Sequence, residues 1–235
     1  MDYSETCGHN QPRSTDEHRS CVSIVPIFNH LEAGEMNAIA KTARSISLKK
    51  GEILYSSGDN SNSLYIVHVG KVKVYRLAEN GKEQVIRILT SGEFTGELAL
   101  FTESVHDAYA EAMEKTEICS IQNTHLQALL QQHPNISLKI LTEFSKRLDH
   151  AEHQMTSFAT EDAETRIALY LAQQAEESGS MEIQLPMSRK DLASYLGTTP
   201  ETISRKLAKF ESHGWINQQD QRDITILDLD ALLLM

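Results

Sequence analysis

Between Arg189 and Lys209 the chain gathers side chains whose chemistry suits nucleic acid. An arginine such as Arg205 can pair in bidentate fashion with guanine O6 and N7. A glutamate such as Glu201 can accept from cytosine N4, and a serine such as Ser204 can bond several bases. The hydroxyls of Thr198 and Thr199 and the cations Arg189, Lys190, Lys206 and Lys209 suit phosphate oxygens. Residues 189–209 carry five basic and two acidic residues, a local charge of +3. Residues 161–235 as a whole sum to −6, and the 235-residue chain to −11. A surface this acidic repels nucleic acid in general, so contact has to be made through this one patch. The plainer alternative is a small helical subdomain with a solvated Lys/Arg face.

A second set of reactive side chains is Cys7, Cys21 and Cys119, with His9 and His18 beside the first two. An odd, sparse set of cysteines reads as thiols, a metal site or a redox switch rather than a disulfide framework. Cys7-x-His9 and His18-x-x-Cys21 together offer four ligands of the kind zinc takes. Cys119 lies in the apolar stretch Ile118-Cys119-Ser120-Ile121, where a cysteine also serves as a small buried hydrophobe. Enzyme chemistry is poorly supplied. There is no evident nucleophile–base pair, and a metal enzyme on a β-scaffold needs several inward ligands where only His68 falls within a strand.

The nucleic-acid set needs two short helices to position it. Ser188 followed three residues later by Asp191 starts one helix in the manner of a capping box. Gly197 ends it, and Thr199 then caps a second helix whose first residue is Pro200. On that second helix Ile203, Leu207 and Phe210 form a core face, while Glu201, Ser204, Arg205 and Ala208 form another face near the N-terminus. This is a helix-turn-helix, whose second helix enters the major groove. Beyond Gly214, residues 216–218 and 224–227 predict a hairpin with its turn at 219–222, the wing.

Upstream the period changes. Residues 32–43 predict an amphipathic helix. Residues 45–121 hold short strands at 46–48, 52–55, 63–69, 71–75 and 84–89, separated by turn signals that include Asn80-Gly81. Such a series predicts a β-sandwich or jelly roll. Residues 124–132 predict a short helix and 135–159 a long one. Its apolar positions Ile136, Ile140, Phe144, Leu148, Ala151, Met155 and Phe158 lie close to heptad spacing. A helix so long predicts a parallel homodimer, with packing on its own sandwich as the alternative. Thr160 is expected to cap the next helix, with Glu161 and Asp162 in its first turn. The expected fold is therefore α+β: an arm at 1–22, a sensory β-sandwich at 23–134, a dimerisation helix at 135–159 and a winged helix-turn-helix at 160–235. No stretch approaches the roughly 20 apolar residues of a membrane span, and the N-terminus lacks the basic and apolar regions of a secretory signal, so a cytoplasmic location without membrane contact is expected.

The order of these parts, the stretch Gly92-Glu93-Phe94-Thr95-Gly96-Glu97-Leu98-Ala99-Leu100-Phe101 and the stretch Thr199-Pro200-Glu201-Thr202-Ile203-Ser204-Arg205 resemble the CRP/FNR superfamily of bacterial transcription regulators across residues 22–235. The spacing Glu201-x-x-Ser204-Arg205 resembles the FNR branch. That resemblance implies base contacts by Glu201, Ser204 and Arg205, a homodimer on double-stranded DNA with palindromic TTGAT-like half-sites, and contact with RNA polymerase if the protein activates. In cyclic-nucleotide-binding members a Gly-Glu pair holds the ribose and a following Arg-Ser pair the phosphate. Gly96 and Glu97 match the first pair, but His106 and Asp107 stand in place of the second, which argues against cyclic AMP. Cys119 falls where FNR has an internal cysteine that ligates an iron–sulfur cluster. This chain has three cysteines rather than four, so a cluster needs a further ligand such as His9, His18 or an aspartate. The pattern is closer to the FNR-like FLP proteins of lactic-acid bacteria, in which arm and internal cysteines act as a dithiol–disulfide switch. Iron–sulfur cluster, zinc, disulfide and a small ligand in the sandwich all stand as inputs compatible with the sequence.

Overall fold

A computed structural model describes residues 22–29, 31–100 and 104–234, with the side chains of Ala99, Leu100 and Ser104 left aside. The chain divides into two compact units, Met1–Leu77 with Ile86–Ser145 and Ala78–Val85 with Lys146–Met235.

The first unit opens with helix α1 (Ala33–Thr42) and continues through β1 (Arg44–Leu48), β2 (Ile53–Tyr55), β3 (Asn60–Ser61), β4 (Ser63–Val69), β5 (Val72–Leu77), β6 (Glu83–Leu89), whose first three residues belong to the second unit, and β7 (Phe94–Thr95). A 3₁₀ turn (Glu97–Leu100) leads to β8 (Ser104–Val105), β9 (Tyr109–Ala112), β10 (Thr116–Gln122) and helix α2 (Asn123–Gln132). Two four-stranded sheets, ordered β1-β10-β4-β7 and β2-β9-β5-β6, make the sandwich, and β3 pairs with β8 in a separate ribbon. The strand period of two sorts side chains to the two faces of the first sheet. Val67 and Ile118 point into the layer shared with Val72, Val74, Leu89 and Ala110 of the second sheet. Their neighbours Ile66 and Cys119 point the other way, into a core closed by Val22, Phe28, Ile39 and Leu126.

Helix α3 (Pro134–Thr160) is the long helix, and its apolar residues divide between two surroundings. Ile136 and Ile140 are fully buried in the core beneath the first sheet, with Phe144 packed against that core. The heptad seam read from the sequence therefore has to be corrected at its start. These two isoleucines are committed to the helix's own unit, because the sheet face they cover would otherwise stand in water. From Leu141 onward, Leu141, Phe144, Leu148, Ala151, Met155 and Phe158 alternate in steps of three and four. Leu141, Leu148 and Met155 are 55%, 61% and 71% exposed.

The second unit holds α4 (Ala163–Ser178), β11 (Glu182–Gln184), α5 (Arg189–Tyr195), α6 (Pro200–Ser212), β12 (Ile216–Gln218), β13 (Asp223–Ile226) and α7 (Leu229–Leu233). The start of α4 differs from expectation. Thr160 ends α3, its hydroxyl donating to the Thr156 carbonyl at 2.9 Å. Asp162 is the cap instead and accepts from the Thr165 amide at 2.9 Å. A hydroxyl satisfied by the carbonyl four residues back cannot serve the next helix, whereas an extended Asp one residue before it can. The expected wing hairpin is present as the antiparallel pair β12–β13, and β11 adds a third strand on the far side of β13. Ser194 on α5 accepts from the Val85 amide at 2.9 Å and donates to the Glu83 carbonyl at 2.7 Å. The Ala78–Val85 segment, which carries the Asn80-Gly81 turn, is thereby joined to α5 within this unit.

Candidate nucleic-acid interface

Both helices of the helix-turn-helix are set by short-range chemistry. Ser188 accepts from the Asp191 amide at 3.2 Å and Thr199 from the Thr202 amide at 3.3 Å, and Pro200 opens α6. Each cap satisfies an N–H that the first helical turn would leave unpaired. Gly197 takes the left-handed conformation at φ +64, and a Cβ there would already touch the Phe158 ring at 3.4 Å. Only glycine makes that bend without strain.

The three core residues of α6, Ile203, Leu207 and Phe210, are fully buried. Glu201, Ser204, Arg205 and Ala208 are exposed on the opposite side. A hydrogen bond from its own backbone amide, helped by one from Thr199, holds the Glu201 carboxyl below its ordinary value. It is thus an ionised acceptor near neutral pH. Thr198, Thr199 and Lys190 lie at the turn and the start of α5, with the last two exposed.

Three of the cations singled out in the sequence have partners. Arg189 donates to the Gln218 side chain at 2.7 Å and to the Gln221 carbonyl at 3.2 Å, which ties α5 to the wing. Lys206 and Lys209 both pair with Glu164 on α4, Lys209 at 2.5 Å. Sequence reasoning did not single out Glu164, because it lies 42 residues before Lys206 and belongs to no motif.

In the sandwich a cavity of about 200 Å³ lies among Tyr55, Arg76, Arg87, Gly96, Glu97, His106 and Asp107. The His106 ring stacks on Tyr55 with centroids 3.7 Å apart. Burial outweighs the nearby Asp59, Asp107 and Glu97 carboxylates and lowers His106 below its ordinary value, so the ring is neutral near pH 7. Arg87 is bound to Glu97 at 3.1 Å, and Arg76 to Asp107. Each guanidinium lining the cavity therefore faces a carboxylate already, and the site does not fit the phosphate of a cyclic nucleotide. Gly96 has a reason of shape for being there. At φ +84 its Cβ would come within 2.2 Å of the Ser63 carbonyl oxygen.

Cys119 is fully buried in the core under the first sheet and is disulfide-bonded. Cys7, Cys21, His9 and His18 lie outside the described residues, and so do the cluster and zinc readings built on them. Among the described residues no group of three or more His, Cys, Asp or Glu could hold a metal ion, and no helix is long and apolar enough to cross a membrane.

Comparison with known proteins agrees with this architecture. The family described as a cyclic nucleotide-binding domain matches residues 45–133, and the Crp-like helix-turn-helix domain matches residues 165–235. The chain is 33% identical over 213 residues to the probable transcriptional regulator flp of Lacticaseibacillus casei, covering 91% of this chain and 96% of that one. It is 29% identical over 225 residues to the transcriptional activator protein Anr of Pseudomonas protegens, covering 94% and 91%. The solved structure of FixK2 from Bradyrhizobium japonicum superposes with a TM-score of 0.72 at 27% identity, covering 81% of this chain and 95% of that one. With a sandwich, a long helix and a capped helix-turn-helix in this order, the chain belongs to the CRP/FNR superfamily of DNA-binding transcription regulators.

Proposed function

We propose that the protein is a homodimeric, redox-responsive regulator of the FNR type that reads palindromic TTGAT-like half-sites through α6. Glu201, Ser204 and Arg205 contact bases. Thr198, Thr199, Arg189 and Lys190 contact phosphates and set the register. The observation that carries this reading is the division of α6 into a wholly buried face and an exposed face bearing those three residues. The likeness to Anr and to the flp regulator supports the FNR-type site. Where such a dimer activates, RNA polymerase is its further partner.

Arg205→Ala is expected to weaken binding to a duplex with two TTGAT-like half-sites by about 1–3 kcal/mol, with relaxed preference at the paired base. Titration against a set of single-base-substituted duplexes measures it. An unchanged affinity and base profile would remove Arg205 from the interface.

The input we propose is the oxidation state of the cysteines. Disulfides in reducing compartments are mostly transient and redox-sensing, and Cys119 is disulfide-bonded. Reduced and oxidised wild-type protein should then bind the same duplex with different affinity, and Cys119→Ser should abolish that difference. Equal binding by both wild-type forms, at verified thiol counts, speaks for a ligand in the sandwich instead.

A further inference from the structure

The charged groups around α6 are not treated alike. Arg205 is exposed and has no carboxylate partner among the described residues. Lys206 and Lys209, on the same helix, both converge on the carboxylate of Glu164, one on each oxygen. The Glu164 side chain is only 12% exposed. The contacts with the two lysines, Lys206 first, hold its carboxyl below the ordinary value, so it is ionised throughout the neutral range. Asp162, the cap of α4, adds a second negative charge close to Lys206. One carboxylate thus holds two ammonium groups, as a phosphate of the DNA backbone would.

We propose that Glu164 is a specificity-determining residue that keeps Lys206 and Lys209 out of the phosphate-binding set, so that the recognition helix meets DNA with its base-reading arginine available and its two non-selective cations already paired. The inference rests on the reading of α6 as the DNA-contacting helix. Its physical content is simple. Each lysine that neutralises a phosphate releases counterions and adds affinity for every sequence alike. A lysine already paired with a part-buried carboxylate does so only if that pair breaks, which leaves the carboxylate facing the DNA backbone. The lysines then contribute little to binding, and the share of affinity carried by base contacts rises.

The test uses the full chain and two duplexes, one with TTGAT-like half-sites and one of random sequence, titrated over a range of salt concentrations. Glu164→Gln keeps the size of the side chain and one acceptor oxygen and removes its charge. It is expected to steepen the salt dependence of random-duplex binding by about 0.9 per lysine freed, one to two in all, and to tighten that binding about tenfold or more near 0.1 M salt. The ratio between the two duplexes should fall. Lys206→Gln with Lys209→Gln should change the salt slope by less than about 0.5 in the wild-type background, yet cancel the gain in the Glu164→Gln background. An unchanged slope in a folded Glu164→Gln protein would overturn the proposal. So would a drop of about two when the lysines are removed from the wild type. If Glu164→Gln does not fold, the lysine double variant decides alone by the same criterion. Failure here leaves the effect of Arg205→Ala intact, whereas failure of the α6 reading would remove that effect too.

Discussion

Phe210→Ala should destabilise the C-terminal unit by about 3–5 kcal/mol, a large share of the roughly 5–15 kcal/mol that holds a domain of this kind together. The Phe210 ring is fully buried at the end of α6, 5.9 Å from the Trp215 ring, and shares the core with Ile203 and Leu207. Removing it leaves a cavity where α6 joins the wing, and the ridge of the helix has nothing of similar volume to fall back on. Trp215 is the single tryptophan of the chain, so its fluorescence in a urea titration reports this unit directly. A lower midpoint with an unchanged slope is the expected form. A shift worth less than about 1 kcal/mol would mean that the core of the unit is centred elsewhere. DNA binding should disappear together with the fold and return under conditions that restore it, which separates this effect from the loss of a base contact.

The second large effect concerns the seam on α3. Leu148 and Met155 lie seven residues apart and are among the most exposed large apolar side chains of the described residues. With Leu141 they form an exposed stripe at intervals of seven, the spacing of one position of a coiled-coil seam, while Phe144 and Phe158 pack within the chain itself. Leu148→Glu with Met155→Glu places two like charges on each side of such an interface. On the proposed homodimer, sedimentation is expected to show a dimer for the wild type and a monomer for the double variant. Affinity for a palindromic duplex should fall by about 100-fold or more, because the two half-sites are then bound one at a time. Arg205→Ala acts differently, weakening each half-site without changing the sedimentation. A double variant that sediments as a dimer would show that the two copies associate through a surface other than this seam. Both substituted positions are exposed in the single chain, so its own stability should change little.

The capped helices Ser188-x-x-Asp191 and Thr199-Pro200 and the core triplet Ile203, Leu207 and Phe210 were legible in the sequence, because capping and the 3.6-residue period act over a few residues. The sandwich was legible for a similar reason, since alternation and Gly-marked turns such as Asn80-Gly81 are local. The third wing strand was not, because Glu182–Gln184 is too short to show a period and exists only by pairing with β13. Nor was the cap at Asp162, where three polar residues in a row offered rival caps and only the end of α3 chose among them. Periodicity also could not say which apolar residues of α3 serve its own unit. Ile136 and Ile140 satisfy the helical pattern as well as Leu141 and Leu148 do, and the face of the first sheet made the choice.

Charge shows the same division most sharply. The clustering of basic residues between Arg189 and Lys209 in an otherwise acidic chain can be read from residue types alone. Which of those charges have partners depends on folding, since Glu164, far from them in sequence, pairs with Lys206 and Lys209 while Gln218 takes Arg189. The same holds in the sandwich, where Asp107 meets Arg76 and Glu97 meets Arg87. A residue's charge belongs to its type, but its partner depends on distances that folding alone creates.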